Sequence, residues 1–152
     1  MSLDNIRKII IFGLNGERYA ADIKEVERIL GYEEPTALPE APAFVKGVIN
    51  HEEKILPIIS LLNKFKIGKE DYTGERKIIV VKRQEKKFGI IVDSVYEVTD
   101  IDNSIIEETP EITNTTERKY ISGLIKLENN IIILLDLEKI LSVEDEENIF
   151  RG

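Results

Sequence analysis

The chain has 152 residues, 42% of them hydrophobic and 33% charged, a balance that supports one folded core rather than a disordered segment. A net charge of -8 and an isoelectric point near 4.9 argue against nucleic acid and direct contact with anionic membrane surfaces, both of which repel an acidic chain. The absence of cysteine excludes disulfides, thiolate metal sites and a thiol nucleophile.

Isoleucine dominates the apolar residues: 26 Ile and 9 Val stand against 5 Ala. β-branched side chains fit a pleated surface and lose rotamer freedom in helices, so the composition leans towards sheet. No apolar run approaches the roughly 18 residues of a membrane span, and the start of the chain lacks a signal-peptide pattern. The expectation is a cytoplasmic protein.

Taken in chain order, Lys8–Phe12 reads as a strand, Asn15-Gly16-Glu17 as a hairpin turn, and the apolar positions continue through Tyr19, Ile23, Val26 and Ile29. The spacing of Ile23, Val26 and Ile29 fits either a helical turn followed by a strand or a strand throughout. Gly31–Ala43 holds Pro35, Pro39 and Pro42 and predicts an extended, semi-rigid loop. Phe44–Ile49 and Ile55–Ile59 form the next pair of strands around a turn; Pro57 implies an edge or a bulge. Ser60 stands where a helix N-cap belongs, ahead of Leu61–Phe65. Ile67–Glu75 is a connector.

The second half then repeats the first. Lys77–Val81, Phe88, Val92, Val95 and Val98 align without a gap to Lys8–Phe12, Tyr19, Ile23, Val26 and Ile29 at an offset of 69, with Gln84-Glu85-Lys86 at the turn. The basic stretch Lys82-Arg83 to Lys86-Lys87 reads as a hairpin tip and its flanks. Thr99–Lys119 reads as a polar, acidic loop. Tyr120–Ile125 and Ile131–Leu135 align to Phe44–Ile49 and Ile55–Ile59 at an offset of 76, and Asp136 takes the place of Ser60. The tail from Ser142 is acidic and predicts a fraying or loose helix. The expected fold is all-β: two small five-stranded barrels packed through an apolar seam, with short helices. The first barrel is expected over 1–71 and the second over 72–152, the latter with the C-terminal helix and acidic tail. A tandem repeat also permits interlocked halves, with strands exchanged between barrels.

Candidate chemistry is sparse. His51, the single histidine, precedes Glu52-Glu53 at a hairpin tip. Adjacent strand residues point to opposite faces, so these three converge on a metal only where a turn folds them together. A solvated turn is the adopted reading, with no metal, cofactor or catalytic residue assigned. No Ser-His-Asp triad or Gly-rich phosphate loop is present, and Asp100-Ile101-Asp102-Asn103 lacks the glycine and glutamate of a calcium loop. A binding module is favoured over an enzyme. A small oligonucleotide-binding barrel is the rival from another class; 7% aromatic residues and the negative charge rank it low.

The segments Phe44-Val45-Lys46-Gly47-Val48-Ile49-Asn50 with Ile55-Leu56-Pro57-Ile58-Ile59, Val92–Val98, Tyr120-Ile121-Ser122-Gly123-Leu124 and Ile132–Leu137 together resemble CheW-like domains from about Lys8 to Leu141. The resemblance implies paired SH3-like barrels and a non-catalytic adaptor. Its partners would be the regulatory domain of a CheA-type histidine kinase and the cytoplasmic tip of methyl-accepting chemoreceptors, with recruitment to membrane-associated arrays. It implies a partner-binding groove between the barrels, carried by Val26, Ile29, Gly47, Gly89, Val95 and Val98. Plain core is the competing reading of the four aliphatic positions. The hairpin departs from the family pattern: Asn50-His51-Glu52-Glu53 replaces Asn-Leu-Arg-Gly, which reverses a charge at Glu52. Replacing the turn glycine by Glu53 predicts different turn dihedrals, since a glutamate at positive φ is strained. A coupling protein of a non-chemotaxis array, or a decoy lacking one interface, are the variant readings.

Overall fold

The computed structural model describes residues 5–68, 75–83, 86–108 and 120–150. The first half contains β1 (Ile6–Leu14), β2 (Glu17–Asp22), a 3-10 turn (Ile23–Glu25), β3 (Val26–Gly31), β4 (Val45–His51), β5 (Lys54–Ser60) and α1 (Leu61–Phe65). The second contains β6 (Lys77–Val81), β7 (Phe88–Val92), β8 (Ser94–Asp102), a 3-10 turn (Asn103–Ile105), β9 (Ile106–Glu107), β10 (Ile121–Leu127), β11 (Asn130–Leu135), a 3-10 turn (Leu137–Lys139) and α2 (Val143–Phe150).

These strands form two sheets, in the orders β8-β1-β2-β11-β10-β9 and β3-β6-β7-β5-β4. The halves are interlocked. Hairpin β1–β2 belongs to the first half by sequence yet sits between β8 and β11, and its counterpart β6–β7 sits between β3 and β5. The exchange is reciprocal, with β11 running parallel to β2 and β5 parallel to β7. Each barrel therefore draws strands from both halves of the chain, and neither half forms a barrel by itself.

The exchange explains why the exchanged strands read as unbroken apolar runs. Side chains alternate between faces along a strand, and both faces of these strands are covered. Ile9 and Ile11 of β1 point into one barrel with Ile101, Ile125, Ile132 and Leu134. Ile78 and Val80 of β6 point into the other with Ile49, Leu56, Ile58 and Ile91. The alternate residues Ile10, Phe12, Leu14, Ile79 and Val81 meet Phe88, Ile90 and Leu135 in a central cluster that both sheets share.

The turn at Asn15-Gly16 holds both residues at positive φ, as a two-residue hairpin of this twist requires; residues 84 and 85 of its counterpart lie outside the described residues. The ambiguous spacing after Tyr19 resolves as a 3-10 turn and then a strand. Pro57 lies in an inner strand, but β5 pairs with β7 only from Ile58 onward, so that flank is locally unpaired at the proline. Ser60 and Asp136 both cap as expected: Ser60 Oγ accepts from Asn63 N, and an Asp136 carboxylate oxygen accepts from Glu138 N. Their own N–H groups donate to Phe44 O and Tyr120 O, each at 2.7 Å.

Two expectations are corrected. Thr99–Lys119 is not all loop: Thr99–Asp102 extends β8, Ile101 is buried, and Ile106–Glu107 pairs with β10; residues 109–119 lie outside the described residues. The acidic tail is a docked helix. Ser142 and Asp145 exchange hydrogen bonds at its start, a reciprocal cap of two N–H groups. Asp145 pairs with Lys64, Glu146 with Arg83 and Lys86, and Ile149 and Phe150 pack on the central cluster.

Candidate partner-binding surface

Directly opposed residues on neighbouring strands point to the same face of a sheet. Val95 and Val98 on β8 oppose Phe12 and Ile10, and Val26 and Ile29 on β3 oppose Val81 and Ile79. All four partners belong to the central cluster. The four candidate positions therefore lie on the seam-facing sides of the two sheets. Val26 and Val95 are half-buried and pack on that cluster. Ile29 and Val98, one strand-turn further out, emerge to 41% and 47% exposure. Equivalent residues of the repeat thus share one fate: an inner pair closes the seam and an outer pair extends it into solvent.

The two glycines have a different role. Gly89 is buried inside a barrel, where an added Cβ would lie 2.8 Å from Ile78 Cγ2 and 2.9 Å from Ile58 Cδ1. Gly47 is buried beneath the proline loop, which bridges β4 through Thr36 and Val48; its φ of 143° and the 2.2 Å from an added Cβ to Thr36 O leave room for glycine alone. Gly123 repeats this crossing under β9, with an added Cβ 2.8 Å from Glu107 O.

Glu52 lies at the far end of the same barrel. The expected change in turn dihedrals is not found: Glu52 and Glu53 hold φ at 51° and 65°, matched by Glu128 and Asn129 at 46° and 68° in the equivalent hairpin. The two-residue connection demands left-handed backbone at both positions, and the flanking ladder imposes it on glutamate. Glu52 is answered within the chain by Arg28 of β3, at 3.4 Å.

His51 is not part of a solvated turn. It ends β4 with its side chain only 10% exposed, and its Nε2 lies 3.9 Å from both Glu27 and Glu52 carboxylate oxygens. Glu53 is outside this cluster; Glu27, from β3, takes the place assigned to it. Glu27 is the unpaired residue of a β-bulge, a position that re-aims a side chain. Lys87 Nζ at 2.7 Å, by hydrogen bond and charge, holds the Glu27 carboxyl below its ordinary range. No periodic signal points to Glu27, because a bulge breaks the alternation on which strand reading rests.

Two hollows flank these elements. A cleft of about 590 Å³ lies between the proline loop, the β4–β5 hairpin and the end of α2, with Leu38, Pro42, Ile55, His51 and Phe150 on its walls. A smaller one of about 270 Å³ includes Arg7, Asp22, Glu25 and Asp136. There burial, and then the neighbouring Asp136 carboxylate, push Glu25 up to about 7. Ile55 and Ile131 are further exposed apolar residues at equivalent positions, at the starts of β5 and β11; the repeat pairs them, but exposure at a strand start carries no signal in the sequence.

The CheW-like domain model matches residues 8–145. The chain is similar to a probable chemotaxis protein CheW of Rhizobium etli, 33% identical over 141 residues, covering 93% of this chain and 91% of that one. It is also similar to the chemotaxis protein CheW of Klebsiella aerogenes, 36% identical over 139 residues, covering 91% and 84%. Among solved structures it resembles the scaffolding protein TtCheW of Thermoanaerobacter tengcongensis with a TM-score of 0.82, 35% identity, and coverage of 91% and 90%.

Proposed function

The chain belongs to the CheW-like domain family, and from that premise we propose that it is a non-catalytic scaffold of chemotaxis signalling. It holds the regulatory domain of a CheA-type histidine kinase and the cytoplasmic tip of a chemoreceptor in fixed relative geometry, and joins the membrane-associated array through them. No helix among the described residues is long and apolar enough to cross a membrane. Control of the kinase comes from different affinities for two array states, without chemistry by the scaffold itself.

The observation that carries this reading is the emergence of Ile29 and Val98 from the shared seam. Two apolar residues at equivalent positions, on the seam-facing edges of two sheets, form the flanks of a groove suited to an amphipathic helix. Val26 and Val95 form its floor, while Gly47 and Gly89 set the backbone and packing of the adjoining barrel.

Glu52 favours a second reading, in which one interface has been re-matched or lost. If a partner carboxylate faces this hairpin, Glu52 repels it; like charges across an interface cost several kcal/mol. Titration calorimetry against the cognate kinase regulatory domain and, separately, a soluble receptor tip tests both readings. Ile29→Asp or Val98→Asp weakens receptor-tip binding and spares kinase binding. Glu52→Arg tightens kinase binding if the contact has been lost and weakens it if a basic partner has replaced the acidic one. Absence of binding to both partners refutes the scaffold assignment.

A further inference from the structure

We propose that Glu27, His51 and Glu52 form a binding site for a divalent transition-metal ion of the zinc class. The proposal is independent of the scaffold reading. Three potential ligand atoms, one from each residue, lie within 4.8 Å of one another. Tetrahedral zinc with bonds of about 2.0–2.2 Å places neighbouring ligands roughly 3.4 Å apart. The two 3.9 Å separations from His51 Nε2 thus need to close by only about half an ångström to meet that geometry. One imidazole nitrogen and two carboxylate oxygens suit zinc and its neighbours better than calcium or magnesium, which take oxygen ligands.

The imidazole supplies the second, independent observation. His51 is nine-tenths buried, and its Nε2 has no hydrogen-bond partner among the described residues. A buried ring nitrogen left without a partner carries a desolvation cost that a metal bond would remove. The nitrogen lies 3.9 Å from each of the two carboxylates, so it faces anionic ligands. Lys87 engages Glu27 through Oε1, which leaves Oε2 turned to His51. Arg28 approaches Glu52 through a half-exposed guanidinium that can swing into water. Lys87 is thus a competitor occupying part of the site, and the site borders the adjacent cleft, whose wall includes His51, Glu52 and Lys87.

The location gives the ion a structural task. β3 and β4 are the two ends of the five-stranded sheet and share no ladder. Glu27 belongs to β3 and His51 to β4. An ion held by both closes that gap and fixes the hairpin tip at which Glu52 stands. The equivalent positions of the other barrel are Tyr96, Leu127 and Glu128, so the site belongs to one barrel alone.

The test uses chelator-treated full-length protein titrated with zinc chloride by calorimetry, with the imidazole resonances of the single histidine followed by NMR. One saturable equivalent and a shift of the His51 resonances are expected. The melting temperature rises with zinc in the unaltered chain and does not rise in His51→Gln. His51→Gln and Glu27→Gln weaken affinity by at least the roughly tenfold that losing even a ligand-orienting partner costs. Lys87→Met tightens it. Melting curves without metal establish that each variant is folded. Should a variant not fold, the imidazole shift in the unaltered protein decides. No saturable binding at millimolar zinc, or saturable binding that leaves the imidazole unmoved, overturns the proposal.

Discussion

The two barrels close the same way with opposite chemistry. In each, a bulge residue of the third strand meets a cation in, or one residue ahead of, the second strand of the exchanged hairpin. In one barrel Tyr96 lies under the Arg18 guanidinium, 4.2 Å from ring centroid to Cζ, and in the other Glu27 pairs with Lys87. Arg18 and Lys87 are equivalent at the offset of 69, as are Tyr96 and Glu27. At the hairpin, Leu127 packs on one barrel's interior where His51 stands in the other. The six-stranded sheet has a second ladder to cover its end, β9 on β10; among the described residues the five-stranded one has the Thr36–Val48 bridge in that place. Backbone geometry is shared between repeats, while closure is left to side chains that have diverged. The polar version brings titratable groups together without completing their hydrogen bonds.

The largest effect expected is one that treats the barrels alike. Phe88→Ala empties the central cluster shared by both sheets and costs about 3–5 kcal/mol, read from denaturant melts; two separate transitions would mean that the barrels do not share a core. Gly47→Ala and Gly123→Ala then separate them. Gly47 combines positive φ with a backbone oxygen at 2.2 Å, whereas Gly123 meets its oxygen at 2.8 Å, so losses of about 3 and about 1–2 kcal/mol are expected in that order. Equal losses would show that the crossing segments press equally hard.

Glu25 gives the next effect, a dependence on pH. Its folded-state pKa is raised from 4.5 to about 7 by burial and by Asp136. The group thus favours the folded state while protonated, and that contribution is lost as pH rises from about 4.5 through about 7. After allowing for the solvent that reaches the pair, about 1 kcal/mol is at stake. Glu25→Gln flattens the stability profile over that window, measured by melts at a series of pH values; an unchanged slope would assign it elsewhere. Smallest are the bulge contacts. Lys87→Met and Arg18→Met each cost no more than about 1 kcal/mol, and added salt weakens the first effect more than the second, because an ion pair is screened more strongly than a ring contact.

The repeat, the hairpins and the caps were all legible in the sequence, because apolar alternation and turn chemistry are local. Strand exchange was not. Internal similarity says which segments are equivalent, but not whether Ile10 and Ile79 face each other across one sheet or two. The groove pairs Val26/Val95 and Ile29/Val98 were legible as equivalents, and their division into floor and flank required the ladder register. The Glu27–His51 approach was hidden because β3 and β4 meet only through barrel curvature. The docking of α2 was partly signalled by Ser142 and Asp145, a capping spacing present in the chain; its ion pairs with Lys64 and Arg83 needed the fold.

The reciprocal placement of β1–β2 and β6–β7 carries a consequence for how such a molecule can come into being. Every ladder that the exchanged hairpins make with other strands joins one repeat to the other. A half-length chain with the same pattern could complete both sheets only by meeting a second copy of itself. The present protein is, in topological terms, a domain-swapped dimer whose subunits have been tied end to end. Tethering makes their meeting intramolecular, so it no longer depends on concentration, and it frees the two copies to differ, as they do at Tyr96 and Glu27.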